Sequence, residues 1–298
     1  MTHRRAVVTM IAVTLMWSIA GIVTRQLEAA RSFEVTFWRS AFTALSLAIL
    51  LPAIRGRAAL VSALQAGGRT LWLSGICWCV MFTAFMVALT LTTVANVLVT
   101  MAIAPLLTAL TARFGLGHRL ATRTWGAIVV AGVGIAWMYA REVSAADPRQ
   151  LLGTLIALAV PVAAAINWTL IQHTRHAADL DLLPAVLIGA ALSALLTLPL
   201  SLPFAASAHD LALLALLGVV QLAIPCLMSV AAARLLSAPE ASLLALLEVI
   251  FGVAWAWWGA GEIPAPHVLG GGLLVLAALA GNEALTLRAR ASPQARPG

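Results

Sequence analysis

The chain has 298 residues, of which 62% are hydrophobic and only 10% charged, with a formal net charge of +7. No soluble domain of that length can hide so much apolar side chain from water, so lipid is the solvent for most of the chain. All 18 basic residues are arginine, but they are scattered between apolar stretches rather than clustered with solvated aromatics, which argues against a nucleic-acid partner.

A bilayer core about 30 Å thick is crossed by roughly 20 helical residues. The apolar runs predict an all-α polytopic membrane protein with ten transmembrane helices, near 6–24, 33–52, 70–92, 95–113, 123–140, 150–173, 182–203, 209–233, 240–260 and 267–287. The first run follows the basic stretch Thr2-His3-Arg4-Arg5 and is too long for a signal-peptide core, so it reads as a retained helix. It carries a polar stripe of Thr14, Trp17, Ser18 and Gly21. In the second run Arg39 shares a stripe with Thr36, Thr43 and Ser46. A charge inside hydrocarbon costs about 2.5–3.5 kcal/mol on insertion scales, so Arg39 is a candidate to attract a substrate carboxylate. The competing reading is that its stem snorkels to the interface or that it pairs with Glu34 or another carboxylate.

The third run sets Trp78, Met81, Phe82 and Phe85 over two turns, which suits either the adaptable wall of a cavity or ordinary packing. Cys77 and Cys79 here, like Cys226 in the eighth run, read as buried, inert thiols. The fourth run aligns Asn96, Thr100 and Thr108, the sixth adds Asn167, Trp168 and Gln172, and the eighth aligns Gly218, Gln221, Pro225 and Ser229. Polar faces prefer protein or a wet cavity to lipid. Each stripe alone is met by helix-to-helix hydrogen bonds, whereas several together favour a shared cavity. Pro105, Pro161 and Pro225 fall near mid-run, where each removes a backbone donor and can kink its helix. Asp147-Pro148 before the sixth run and Pro239-Glu240 before the ninth supply helix-entry chemistry.

Glu248, about eight residues into the ninth run, shares a face with Leu244, Gly252 and Trp255. It serves either a substrate ammonium or a coupling proton, or it makes a structural hydrogen bond. The fifth and tenth runs are rich in small residues, Gly126, Gly132 and Gly134 in one and Gly270, Gly271, Gly272 and Gly281 in the other. Such surfaces allow close packing, either between halves of the chain or in a homodimer. Trp72, Trp125, Trp137, Trp257 and Trp258 sit near run ends, as in interfacial belts, and are left out of the site.

With the N-terminus inside, thirteen arginines fall in inner segments and four (Arg25, Arg31, Arg141 and Arg149) in outer loops, which places both termini in the cytoplasm of a bacterial-type inner membrane. Shifting the chain by 144 residues lays Gly115 on Gly259, Gly117 on Gly261 and Gly126 on Gly270. Five runs per half is an odd number, so the halves, 1–145 and 146–290, would enter the membrane in opposite senses as inverted repeats, leaving 291–298 as a cytoplasmic tail.

Leu15-Met-Trp17-Ser-Ile-Ala-Gly21, Trp38-Arg39, and Pro105 followed by Phe114-Gly-Leu-Gly-His118 and Gly126 resemble the first repeat of the drug/metabolite transporter superfamily in its ten-span, EamA-type form. Pro239-Glu240 through Glu248, Gly259-Ala-Gly-Glu262 and Gly270 resemble the second. Within that superfamily the chain looks most like YddG-type amino-acid exporters. The acidic residue after the paired glycines is Glu262 in the second half but His118 in the first. The resemblance implies secondary export of small organic metabolites, most of all amino acids including aromatic ones, by alternating access through a central cavity. It implies a small-molecule substrate and the lipid bilayer as partners, and no cofactor.

The alternatives are export of another metabolite or drug class, and an intramembrane transferase. The transferase would need clustered His, Asp or Cys groups, yet no P-loop, His-Glu-x-x-His or Asp-rich diad appears. His173, His176, Asp179 and Asp181 on a cytoplasmic connection read as a solvated loop. No catalytic or metal-ligating residue is assigned.

Overall fold

The computed structural model describes residues 3–116, 122–144, 147–174, 182–233 and 238–291. Every regular element among them is helical. In chain order these are α1 His3–Ser18, α2 Ala20–Thr24, α3 Ser32–Arg55, α4 Arg57–Ala66, α5 Gly68–Leu91, α6 Val94–Met101, α7 Ala104–Leu116 and α8 Thr122–Ser144. There follow α9 Pro148–Ala157, α10 Ala159–Thr174, α11 Pro184–Ser201, α12 Ala208–Leu216, a π-helical segment Leu217–Ala223, α13 Ile224–Ala233, α14 Ala238–Ala260 and α15 Pro266–Ala291.

Seven stretches among the described residues are long and apolar enough to cross a bilayer, from His3–Thr24 to Ala208–Ser229, and Leu247–Ala260 and Pro266–Asn282 are shorter apolar helices. The fifth expected run is helix α8, which is not one of the seven. Large apolar side chains lie open on the outside, Leu195 at 66% and Leu273 at 69% exposure, a surface that only lipid can cover. The five tryptophans assigned to interfacial belts are all exposed.

The breaks in these helices follow from proline's missing N–H. Pro105 and Pro161 deprive the carbonyls of Met101 and Ala157 of their usual partners four residues on, and α6 and α9 end at those two residues. Pro225 does the same to Gln221, inside the π-helical segment, where the Ile224 N–H reaches five residues back to Val219. Caps set the starts: Asp147 accepts from the amides of Arg149 and Gln150, and Ser207 with Asp210 forms a reciprocal capping box on α12.

Helix α3 packs against α11, α5 against α11 and α10, α7 against α10, α1 against α13 and α14, the π-helical segment against α3, and α8 against α15. The last contact realises the close packing expected between the two small-residue runs: a Cβ on Gly134 would come within 2.7 Å of the Gly271 carbonyl. Lipid tails are as apolar as leucine, so cohesion rests on tight packing and buried hydrogen bonds. The Ser193 hydroxyl meets both Ser40 and Thr83 at 2.9 Å, joining α11 to α3 and α5. Thr111 and Thr169 join α7 to α10 at 2.6 Å.

At one end of the bundle, carboxylates stitch loops together. Asp210 accepts from the amides of Glu28, Ala29 and Ala30, and Glu34 from those of Ala205 and Ala206. Arg25 donates to Glu262 at 3.1 Å and to the carbonyls of Leu89 and Thr92, while Glu262 also accepts the Val94 amide at 2.7 Å. These bonds join the α2–α3, α5–α6 and α14–α15 connections beside a polar recess of about 500 Å³ that Asp147 and Arg149 also line.

Candidate functional site

Arg39 is the centre of the site. It lies on α3, is 2% exposed, and is among the largest fully buried side chains of the described residues. Its Nε and Nη2 donate to Oε1 of Gln221 at 3.3 and 3.0 Å. The Gln221 amide in turn donates to the Trp17 carbonyl at 3.1 Å. The guanidinium carbon stands 5.9 Å from the Phe82 ring centroid and 5.5 Å from that of Phe85. Both distances are within cation–π range. Glu248 of α14 and Cys226 of α13 lie within its electrostatic reach. Arg39 pairs with neither the interface nor Glu34, whose carboxylate is engaged by the loop amides.

Local sequence explains the arrangement. Gly218 lets the π-helical segment lie directly on α3: a Cβ there would sit 2.6 Å from the Phe42 Cβ and 2.8 Å from the Arg39 carbonyl. Thr43 fastens the contact by donating to the Gly218 carbonyl at 3.1 Å. The close approach brings Gln221 to the guanidinium.

The electrostatics are unbalanced in a telling way. Arg39 makes its hydrogen bonds to a neutral amide, and its Nη1 is buried with no hydrogen-bond partner among the described residues. Leaving a buried donor unmade costs about 1–3 kcal/mol. Two aromatic faces return about 0.5–2 kcal/mol each, without using the donor. What remains is a cation with spare donor capacity between aromatic walls, with a carboxyl close enough to feel its charge. That combination can hold a carboxylate and, on the side of Glu248, a positive group.

The other expected site residues divide. Trp17 contributes its carbonyl, and Ser18 accepts from the Trp255 indole at 3.1 Å, tying α1 to the Glu248 face of α14. Glu248 itself is half-buried. Trp78 lies against Phe82 in a tilted pair with centroids 5.4 Å apart but backs onto α11 at Gly189. Asn96 and Thr100 are buried on α6. The Asn96 amide donates to Thr92, which reaches Thr154, so it belongs with the stitched loop end rather than with the guanidinium. Asn167 is buried and accepts from Ser74 at 2.7 Å. The side chains of Trp168 and Gln172, the cluster from His173 to Asp181, His118 and the tail from Ser292 lie outside the described residues. Phe85, which the sequence reads as cavity wall or ordinary packing, faces the guanidinium, and Cys226, read as an inert thiol, lies within its electrostatic reach.

The sequence was compared with known families and structures. Residues 4–140 match the EamA-like transporter family. That family is one of membrane transporters of small molecules, not of enzymes, so the transferase alternative has no support from it. The EamA-like segment holds Trp17, Arg39, Phe82 and Phe85, whereas Gln221, Cys226 and Glu248 lie beyond it. None of the curated proteins is significantly similar to this chain. A solved structure described only as a crystal structure of a protein is similar in fold, with a TM-score of 0.64 at 18% identity over 97% of this chain and 99% of that one.

Proposed function

We propose that the chain is a secondary transporter exporting amino acids, aromatic ones included, by alternating access between two inverted five-helix halves of a ten-span bundle. In this reading it resembles the YddG-type exporters, sits in a bacterial-type inner membrane and keeps both termini in the cytoplasm. The observation that carries it is Arg39, a buried cation with a free donor beside Glu248. An amino acid would place its carboxylate on the guanidinium and its ammonium toward Glu248, with its side chain against Phe82 and Phe85.

Helix pairing supports the inverted halves. Number the expected spans one to ten and exchange each with the span five places away. The contact of α3 with α11, and that of α8 with α15, then map onto themselves. The contact of α5 with α10 becomes that of α13 with α1, and that of α7 with α10 becomes that of α14 with α1. The stitched loop end then lies outside, which closes the path on that side.

Purified protein in liposomes loaded with radiolabelled amino acids is expected to release substrate. Glu248→Gln should slow release while leaving the protein monodisperse. Release no faster than from protein-free vesicles, across a panel of amino acids, removes the amino-acid reading. Uptake of another metabolite class in the same vesicles would favour the other branch of the superfamily.

A further inference from the structure

We infer that Gln221 is not a substrate ligand but a positioning residue, which fixes the Arg39 guanidinium in one orientation and, by being neutral, keeps that cation free for a substrate carboxylate. The inference rests on the amino-acid reading above and deepens it.

The amide of Gln221 is already engaged at both ends. Its oxygen takes two N–H donors from Arg39, and its nitrogen faces the Trp17 carbonyl. Only this orientation of the amide satisfies all three contacts; the flipped one would set a nitrogen against two donors and an oxygen against a carbonyl. Arg39 is thereby held along its Nε–Nη2 edge, which leaves Nη1 as the unbonded end.

The π-helical segment makes this contact possible. Pro225 cannot serve the Gln221 carbonyl, and the widened turn through Leu217–Ala223 absorbs that missing bond. One residue taken out of the turn would rotate everything after it by about 100°. Gly218 and Thr43 lock the segment to α3 at the same level, so neither partner can drift.

Neutrality is the second half of the inference. A carboxylate in place of the Gln221 amide, at the same 3.0 Å from Nη2, would form a two-point ion pair with the guanidinium. Arg39 would then be compensated from within, and a substrate carboxylate would meet no net positive charge. Glutamine keeps the Arg39 contacts without that compensation, and its amide nitrogen also serves the Trp17 carbonyl, which a carboxylate could not.

The test uses the full-length protein in liposomes. It measures KM and kcat for a transported amino acid and the inhibition constant of its decarboxylated amine as competitor. In Q221E, KM for the amino acid is expected to rise at least tenfold with kcat falling much less, while the amine competes as well as before or better. Gln221→Asn, one methylene too short to span from Trp17 to Arg39, should raise KM in the same direction and serves if Q221E does not fold. Wild-type KM in both variants overturns the inference and leaves the amino-acid reading standing, as does equal weakening of amino acid and amine. If the wild-type protein transports no amino acid, the amino-acid reading fails and this inference falls with it.

Discussion

Replacing Arg25 by alanine is expected to open the stitched end of the bundle. Arg25 makes three hydrogen bonds there, one of them to Glu262 at 3.1 Å and one to the Thr92 carbonyl at 2.7 Å. A charged hydrogen bond is worth about 1.5–3 kcal/mol when shielded. The two side chains are 28% and 16% exposed and border the polar recess, so water can replace part of each bond. Discounted for that screening, the whole clasp favours closure by about 2 kcal/mol. Losing it raises the population open on that side by roughly thirtyfold, at tenfold per 1.4 kcal/mol. Cys226 is a suitable reporter, because it is buried and lies within electrostatic reach of Arg39. In a Cys77→Ala, Cys79→Ala background, a membrane-impermeant thiol reagent added from outside should modify Cys226 at least tenfold faster in R25A. Glu262→Gln should have a smaller effect, since its amide oxygen can still accept from Val94. An unchanged modification rate in R25A would refute the idea that this clasp holds the path shut.

Three further outcomes follow from the same geometry. Arg39→Gln should lower kcat/KM for carboxylate-bearing substrates at least a hundredfold in liposome exchange, yet leave the protein folded in a melting assay, because it removes a buried charge rather than adding one. Gly218→Val should lower the melting temperature by several degrees, since its Cβ would meet the Phe42 Cβ and the Arg39 carbonyl and overpacking costs about 1–3 kcal/mol. Asp210→Ala strips the amides of Glu28, Ala29 and Ala30 of their acceptor and should destabilise by about 2–3 kcal/mol in thermal unfolding, with Asp210→Asn intermediate.

Much of the architecture was legible because the bilayer converts thickness into run length, and because proline acts locally. Pro105 and Pro161 mark their helix breaks through one absent N–H each, a property readable from the residue alone. The site was legible only in part. Arg39 and Gln221 could each be singled out as polar groups within apolar runs, but they are 182 residues apart, and nothing in either neighbourhood names the other. From sequence Arg25 is only one of the outer arginines, since its partner Glu262 is 237 residues away. Polar stripes are a less specific signal. Thr14 and Thr108 donate to carbonyls of their own helices, three and four residues back, so a hydroxyl on a stripe needs no cavity to satisfy it.

The asymmetry of the two halves gives the clasp a mechanistic sense within the proposed repeat. A shift of 144 residues carries Glu262 onto His118 and Arg25 onto Thr169. When the halves exchange conformations, the opposite end of the path therefore closes without the corresponding arginine–glutamate pair. In the proposed reading, closure outside is held by an ion pair and two further carbonyl contacts, and the matching positions, Thr169 and His118, offer no such pair. On the proposed exporter reading the clasp would favour a chamber reached from the cytoplasm, the side on which an exporter must load, and a substrate would move that balance only by contributing binding energy that differs between the two states. On the same reading, an amino acid bridging Arg39 on α3 and Glu248 on α14 would span the two proposed halves, so its binding energy would depend on how they are set against each other.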